Sequence, residues 1–209
     1  MITLWGVPVF QETSNLTLSN FTSKEYNFLE KLRRDNSLTV NDTTTELIMS
    51  GGKLLENKEL RRIKNHIHLN ALKYASEVIC LKQDIVLSAS WFTVNRRGSS
   101  HSVHKHQHSL FSVCYYPQVE SGQLLLMSEN SKNIFQRDYH FGLSYTKQNE
   151  YNSNHWLIPV TSGDMVIFPS WVNHGSTSNE SDTDRWMIGA NYWIQGEVSQ
   201  FDCLDRINL

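Results

Sequence analysis

Within five positions the stretch "SVHKHQHSLFSVCYYP", residues 102–117, carries His104, His106 and His108, directly before a run that reads as a buried strand. In a strand, residues i and i+2 project from one side, so His104 and His106 can address a common point at the ~2.1 Å of a metal–imidazole bond. Lys105 then points away. If the strand stays regular, His108 shares the histidine face and competes as a ligand, while His101 falls on the opposite parity. A facial metal site also needs a donor from another strand. His174, at the end of "GDMVIFPSWVNHG" (residues 163–175), follows a second apolar strand and can close a three-ligand set.

Arg185 opens the next strand, "RWMIGANYWI". A guanidinium entering a barrel from a strand start is costly to bury unless it meets a carboxylate, and a rim ion pair with Asp182 or Asp184 is the alternative. Other polar residues point away from catalysis. Cys114 alternates with Tyr116 and reads as a small core residue, Ser170 lacks the nucleophile-elbow pattern, and "SGGK" at 50–53 lacks the preceding glycine of a phosphate loop. Trp91, Trp171 and Trp186 are read as packing residues, and His66, His68, His140 and His155 as structural or surface.

The elements that must hold these groups follow from periodicity. From Asp84 onward "DIVLSASWFTVN", "SLFSVCYYP", "GQLLLMSE", "HWLIPV", "GDMVIFPSW" and "RWMIGANYWI" are short β-branched and aromatic runs separated by Gly, Asn, Ser and Asp clusters. Many short strands without intervening helices predict a sandwich or barrel. Upstream, "FTSKEYNFLEKLRR" offers Thr22 as N-cap, Glu25 as the capping-box partner and Phe21 with Tyr26 as a hydrophobic staple, predicting a helix from about Ser23 to Arg34. Ile63, Ile67, Ala71, Tyr74 and Val78 recur at steps of three and four, predicting a second helix whose apolar stripe covers something. The polar stretch 128–154 predicts a loop or lid.

A chain of 209 residues fits a single domain, 1–209, with 1–83 largely helical support and 84–209 the β core. Nineteen basic against twenty-one acidic residues give a net charge of -2, so no global field steers it to nucleic acid or an anionic membrane. The basic runs at 31–34 and 61–64 fit solvated helix faces. Cys80, Cys114 and Cys203 are too scattered for a disulfide framework and fit reduced thiols. "MITLWGVPVF" has no basic region ahead of its short apolar stretch, and no run approaches the ~18 apolar residues of a span, which predicts an untargeted, cytoplasmic protein.

In order, "SWFTVNRRG", "HKHQHSLFSVCYYP", "GDMVIFPSWVNHG" and "RWMIGANYW" resemble the 2-oxoglutarate- and iron(II)-dependent oxygenase family found in marine bacteria and phages, related more remotely to the prolyl 4-hydroxylases. The likeness covers roughly residues 84–193, and "LWGVPVF" resembles the family's N-terminal start. It implies a mainly β protein with supporting helices, a double-stranded β-helix or jelly roll. It also implies that His104, His106 and His174 ligate Fe(II), and that Arg185 pairs with the distal carboxylate of 2-oxoglutarate. Tyr116 would donate its hydroxyl to that carboxylate, with Asn95 and Asn191 as further co-substrate contacts. Three facial ligands leave three octahedral positions, two for the 2-oxo acid and one for dioxygen. The implied activity is hydroxylation of an unassigned substrate, with succinate and CO2 as co-products.

Two departures stand out. His106 occupies the place of the superfamily's aspartate, leaving one less negative charge and a donor set more tolerant of zinc, and Gln107-His108 replace the family's Pro-Gly. The rival readings are a zinc-dependent lyase or hydrolase with a three-His site, which needs no buried Arg185, and a non-catalytic jelly-roll binding protein holding metal structurally, whose cavity would be closed to small molecules.

Overall fold

The computed structural model describes residues 6–35, 47–49, 52–128, 142–149, 151–198 and 207–208. Helix α1 (Ser23–Arg34) begins at the capping box: Glu25 N donates to the Thr22 hydroxyl, and the Glu25 carboxylate accepts from Thr22 N at 2.7 Å. Tyr26 stacks on Trp186, ring centroids 6.2 Å apart, and Phe21 packs against the main core. Helix α2 (Arg61–Lys73) buries Ile63, Ile67 and Ala71 and then widens into a π-turn over Tyr74–Val78. A π-turn takes an extra residue, so the stripe slips out of phase: Tyr74 stays buried but Val78 is 39% exposed, against the sequence expectation.

The strands are β1 (Phe10–Thr13), β2 (Leu47–Met49), β3 (Asp84–Asn95), β4 (Phe111–Gln118), β5 (Gln123–Met127), β6 (His155–Pro159), β7 (Asp164–Pro169), β8 (Asn173–Ser176), β9 (Arg185–Gln195) and a short pair, β10 (Glu197–Val198) and β11 (Ile207–Asn208). Six form a major antiparallel sheet in the order β1-β7-β4-β9-β3-β2, and β6-β5-β8 form a minor one. Side chains alternate across the major sheet. Phe111, Val113 and Tyr115 of β4 and Trp186, Ile188 and Tyr192 of β9 pack against Leu29, Ile63 and Ile67 of the helices. Each fully buried isoleucine there contributes about 1.5–3 kcal/mol. The opposite parity, Cys114, Tyr116 and Met187, meets Leu124 and Leu126 of β5 to form a second core between the sheets. Helices on one face and a second sheet on the other give the expected double-stranded β-helix with helical support.

The functional residues gather at one rim. An antiparallel bridge between His104 and His174 extends the minor sheet beyond β8, and Arg185 starts β9 opposite Asn95. Of the stretch expected to be a loop or lid, residues 129–141 and 150 lie outside the described residues, as do His140 and Cys203; 142–149 hold no regular element. Cys80 and Cys114 are free thiols. No described helix is long and apolar enough to cross a membrane.

The basic runs are not only solvated faces. Arg62 donates to the carboxylate of Glu25, which is 2% exposed, at 2.6 and 2.9 Å. Burial opposes ionisation of Glu25, but hydrogen bonds from Arg62 and Thr22 outweigh it and hold the carboxyl below its ordinary value. A carboxyl depressed by folding contributes stability above its unfolded value, near ~4.3, and loses it as pH falls through the folded value. Because Arg62 is half exposed, Arg62→Ala should cost about 1–3 kcal/mol at pH 7, below the cost for a wholly buried pair. The gap to wild type in urea unfolding should narrow by pH 3; an equal gap at both values would count against the pair.

Candidate metal centre and co-substrate cavity

His104 and His174 face each other across the bridge, His104 N donating to His174 O at 2.9 Å and His174 N to His104 O at 2.8 Å. The approach requires Gly175, where a Cβ would stand 2.7 Å from His101 O. His106 N donates to Ser170 O at 3.1 Å, anchoring the third histidine to the turn after β7. One ring nitrogen from each of His104, His106 and His174 lies within 4.8 Å of the others.

The imidazoles are set up to give lone pairs inward. Nδ1 of His104 lies 2.9 Å from Ser102 O, and Nδ1 of His174 lies 2.9 Å from Val172 O. A carbonyl only accepts, so both Nδ1 atoms carry a proton, which leaves Nε2 as the nitrogen available to a metal. Nε2 of His106 is buried without a hydrogen-bond partner among the described residues. Burial, reinforced by His104, lowers His106 to about 4 and His174 to about 3, so both are neutral ligands at pH 7. Three clustered imidazoles fit a divalent iron, nickel or zinc ion.

Two expectations around this cluster are corrected. His108 is exposed, beyond a bend at 107–108, and is not among the clustered donors. His101 is not turned away: its ring centroid is 4.4 Å from that of His104, and burial lowers it to about 4. Both follow from one cause. The chain from 101 to 110 forms a β-bridge only at His104, its other backbone bonds being isolated ones, so strict two-residue alternation does not run through it.

Arg185 is 1% exposed, the largest of the wholly buried side chains among the described residues. Nη2 donates to Ser176 Oγ at 2.7 Å and Thr177 O at 3.0 Å, and Nη1 to Ser121 O at 3.5 Å. No carboxylate pairs with it among the described residues. Asp184 accepts from Arg33 at 2.8 Å and Asp182 from Arg97 at 2.7 Å, so the rim ion pair considered for Arg185 does not form. Burial lowers the Arg185 pKa, the mark of a cation lacking a counter-charge.

Arg185, His104 and His174 line one open pocket, lined also by Trp91, Asn95, His101 and Tyr116. Tyr116 is 3% exposed, and burial pushes its phenol far above the ordinary value, keeping it a neutral donor beside Arg185. Asn95 is buried, and its Nδ2 has no partner among the described residues. Asn191 sits apart: its Oδ1 accepts from Ser112 at 2.8 Å, in a hydroxyl chain with Ser170 and Ser109, and it does not line the cavity. The Cys114 thiol is pushed up to about 12 by burial and is no nucleophile at neutral pH.

Gly122 and Ser176 escaped the sequence reading. Gly122 adopts φ +93°, and a Cβ there would stand 1.8 Å from Arg185 Nη1. Its only sequence signal is an ordinary turn pattern, "SGQ". Gly122→Ala should strain the turn and displace the guanidinium, lowering stability in urea unfolding by about 1–3 kcal/mol. Unchanged stability would show that the guanidinium tolerates a different seat.

A sequence-family model described as "Putative 2OG-Fe(II) oxygenase" matches residues 89–191. No curated protein gives a significant match. Among solved structures, the non-heme alpha ketoglutarate dependent carbocyclase SnoK from nogalamycin biosynthesis aligns with a TM-score of 0.62 at 16% identity, covering 88% of this chain and 78% of that one. A prolyl-4-hydroxylase of Pseudomonas putida aligns at 0.57 and 11% identity over 90% and 93% of the two chains. HygX from Streptomyces hygroscopicus, solved with nickel and 2-oxoglutarate bound, aligns at 0.57 and 12% over 97% and 92%. At such identities the structural likeness speaks for the double-stranded β-helix, and the family match speaks for the chemistry. Residues 89–191, which make up most of the β core, match the family of 2-oxoglutarate- and Fe(II)-dependent oxygenases.

Proposed function

We propose that the protein is a dioxygenase that hydroxylates its substrate and converts 2-oxoglutarate to succinate and CO2, with His104, His106 and His174 holding the metal and Arg185 holding the distal carboxylate of the co-substrate. The observation that carries this reading is a buried guanidinium, free of any carboxylate among the described residues, in the same pocket as His104 and His174, two of the three clustered imidazoles. A zinc hydrolase has no need of such a cation, and a purely structural metal has no need of the cavity. When bound, iron would supply the activation of dioxygen. The chain's own part is to ligate on one face, leaving the other positions open, and to orient the diacid. Arg185 and neutral Tyr116 would grip the distal carboxylate, with the Asn95 amide as a further donor. On the same reading residues 1–209 act as one domain, since both helices share a core with β3, β4 and β9.

Anaerobic addition of Fe(II) and 2-oxoglutarate to the full chain should give a weak visible charge-transfer band, and admitting air should release succinate. No band, tight zinc binding and no succinate would favour the zinc enzyme.

A further inference from the structure

The inward face of β3 carries more polarity than its apolar surroundings account for. Trp91, Thr93 and Asn95, successive inward positions paired with Gly189, Met187 and Arg185 of β9, each bury a polar atom that has no partner among the described residues: Nε1, Oγ1 and Nδ2. A buried donor without an acceptor is costly, and native proteins keep few of them unless water or a ligand completes the bond.

Trp91 is the member at the metal end. Its ring lies 5.1 Å from that of His106, and it lines the cavity while only 9% exposed. Asn95 and Arg185 lie four residues further along the paired strands, about 14 Å away at ~3.4 Å per residue. The indole has been given this seat deliberately: it lies across Gly189, where a Cβ would come within 2.2 Å of it. His106 also depends on this contact. His104 and His174 are oriented by Nδ1 bonds to backbone carbonyls, whereas no such bond to a His106 ring nitrogen occurs among the described residues.

We infer that Trp91, beyond packing, is a co-substrate contact whose indole N–H donates to the metal-proximal carboxylate of the 2-oxo acid, at the end of the cavity opposite Arg185. The inference rests on the proposed function and deepens it. Arg185 and Trp91 then read the two ends of one diacid, and only the Trp91 end is shared with any 2-oxo acid.

Trp91→Phe keeps a ring against His106 and removes the N–H. In anaerobic titrations of the Fe(II)-loaded protein, followed by the charge-transfer band, it should weaken 2-oxoglutarate and pyruvate alike by about 10-fold, the loss of one hydrogen bond to a charged group, with Fe(II) affinity unchanged. Arg185→Ala should weaken 2-oxoglutarate but not pyruvate. In the zinc-loaded wild type, labelled at its six tryptophans, one indole N–H resonance should move downfield on adding 2-oxoglutarate, which needs no variant to fold. Wild-type affinity in Trp91→Phe, a parallel loss of Fe(II) binding, or no moving indole signal would overturn the inference and leave the proposed function standing. No band in the wild type would instead remove the proposed function itself.

Discussion

Arg185→Ala should weaken 2-oxoglutarate binding by about 100-fold or more while the metal site still loads. Truncating one partner of a buried charged contact typically costs 2–5 kcal/mol, and about 1.4 kcal/mol is a factor of ten. The guanidinium is well seated, its donors meeting Ser176, Thr177 and Ser121, all uncharged acceptors. Without co-substrate it is therefore a buried cation stabilised only by dipoles. Its removal should leave thermal stability unchanged or raise it, because the desolvation cost disappears with the charge. Arg185→Lys should fall between, since an ammonium keeps the charge but loses the planar fork. Affinity unchanged in both variants, measured by the band titration, would place the diacid elsewhere.

His174→Ala should lower Fe(II) affinity by more than about 100-fold, beyond the 10–100-fold typical when only an outer-shell partner of a ligand is lost. The residue is 4% exposed, its ring 4.8 Å from Phe168 and 4.3 Å from His104. The backbone bonds to His104 do not involve the side chain, so the rim should keep its pairing and the loss should be specific to the metal. Competition for Co(II) with a coloured chelator measures it directly. A variant that binds Co(II) as wild type does would show that the centre is built without His174.

What could be read from the sequence was what depends on near neighbours. Helix α1 is written in Thr22 and Glu25, three residues apart, and β3 and β9 in their own apolar runs. His104, His106, His174 and Arg185 were visible as candidates because metal ligands and buried cations are rare residue types with a recognisable placement. Where local regularity breaks, the expectations fail: the π-turn moves Val78 outward, and the irregular chain around His104 reverses the expectations for His101 and His108. Gly122 and Ser176 matter only because the fold brings them to Arg185, and Trp91 gains its meaning from Gly189 on the neighbouring strand. No spacing along the chain encodes such meetings.

The two proposed ligands that share a β-bridge would also tie occupancy of the centre to breathing of the rim. To let the ion go, one imidazole must swing away; to expose the amides of His104 and His174 to solvent, the same pair of segments must part. A bound cation therefore resists both motions at once, and deuterium uptake at those two amides becomes a local gauge of how much of the protein is charged with metal.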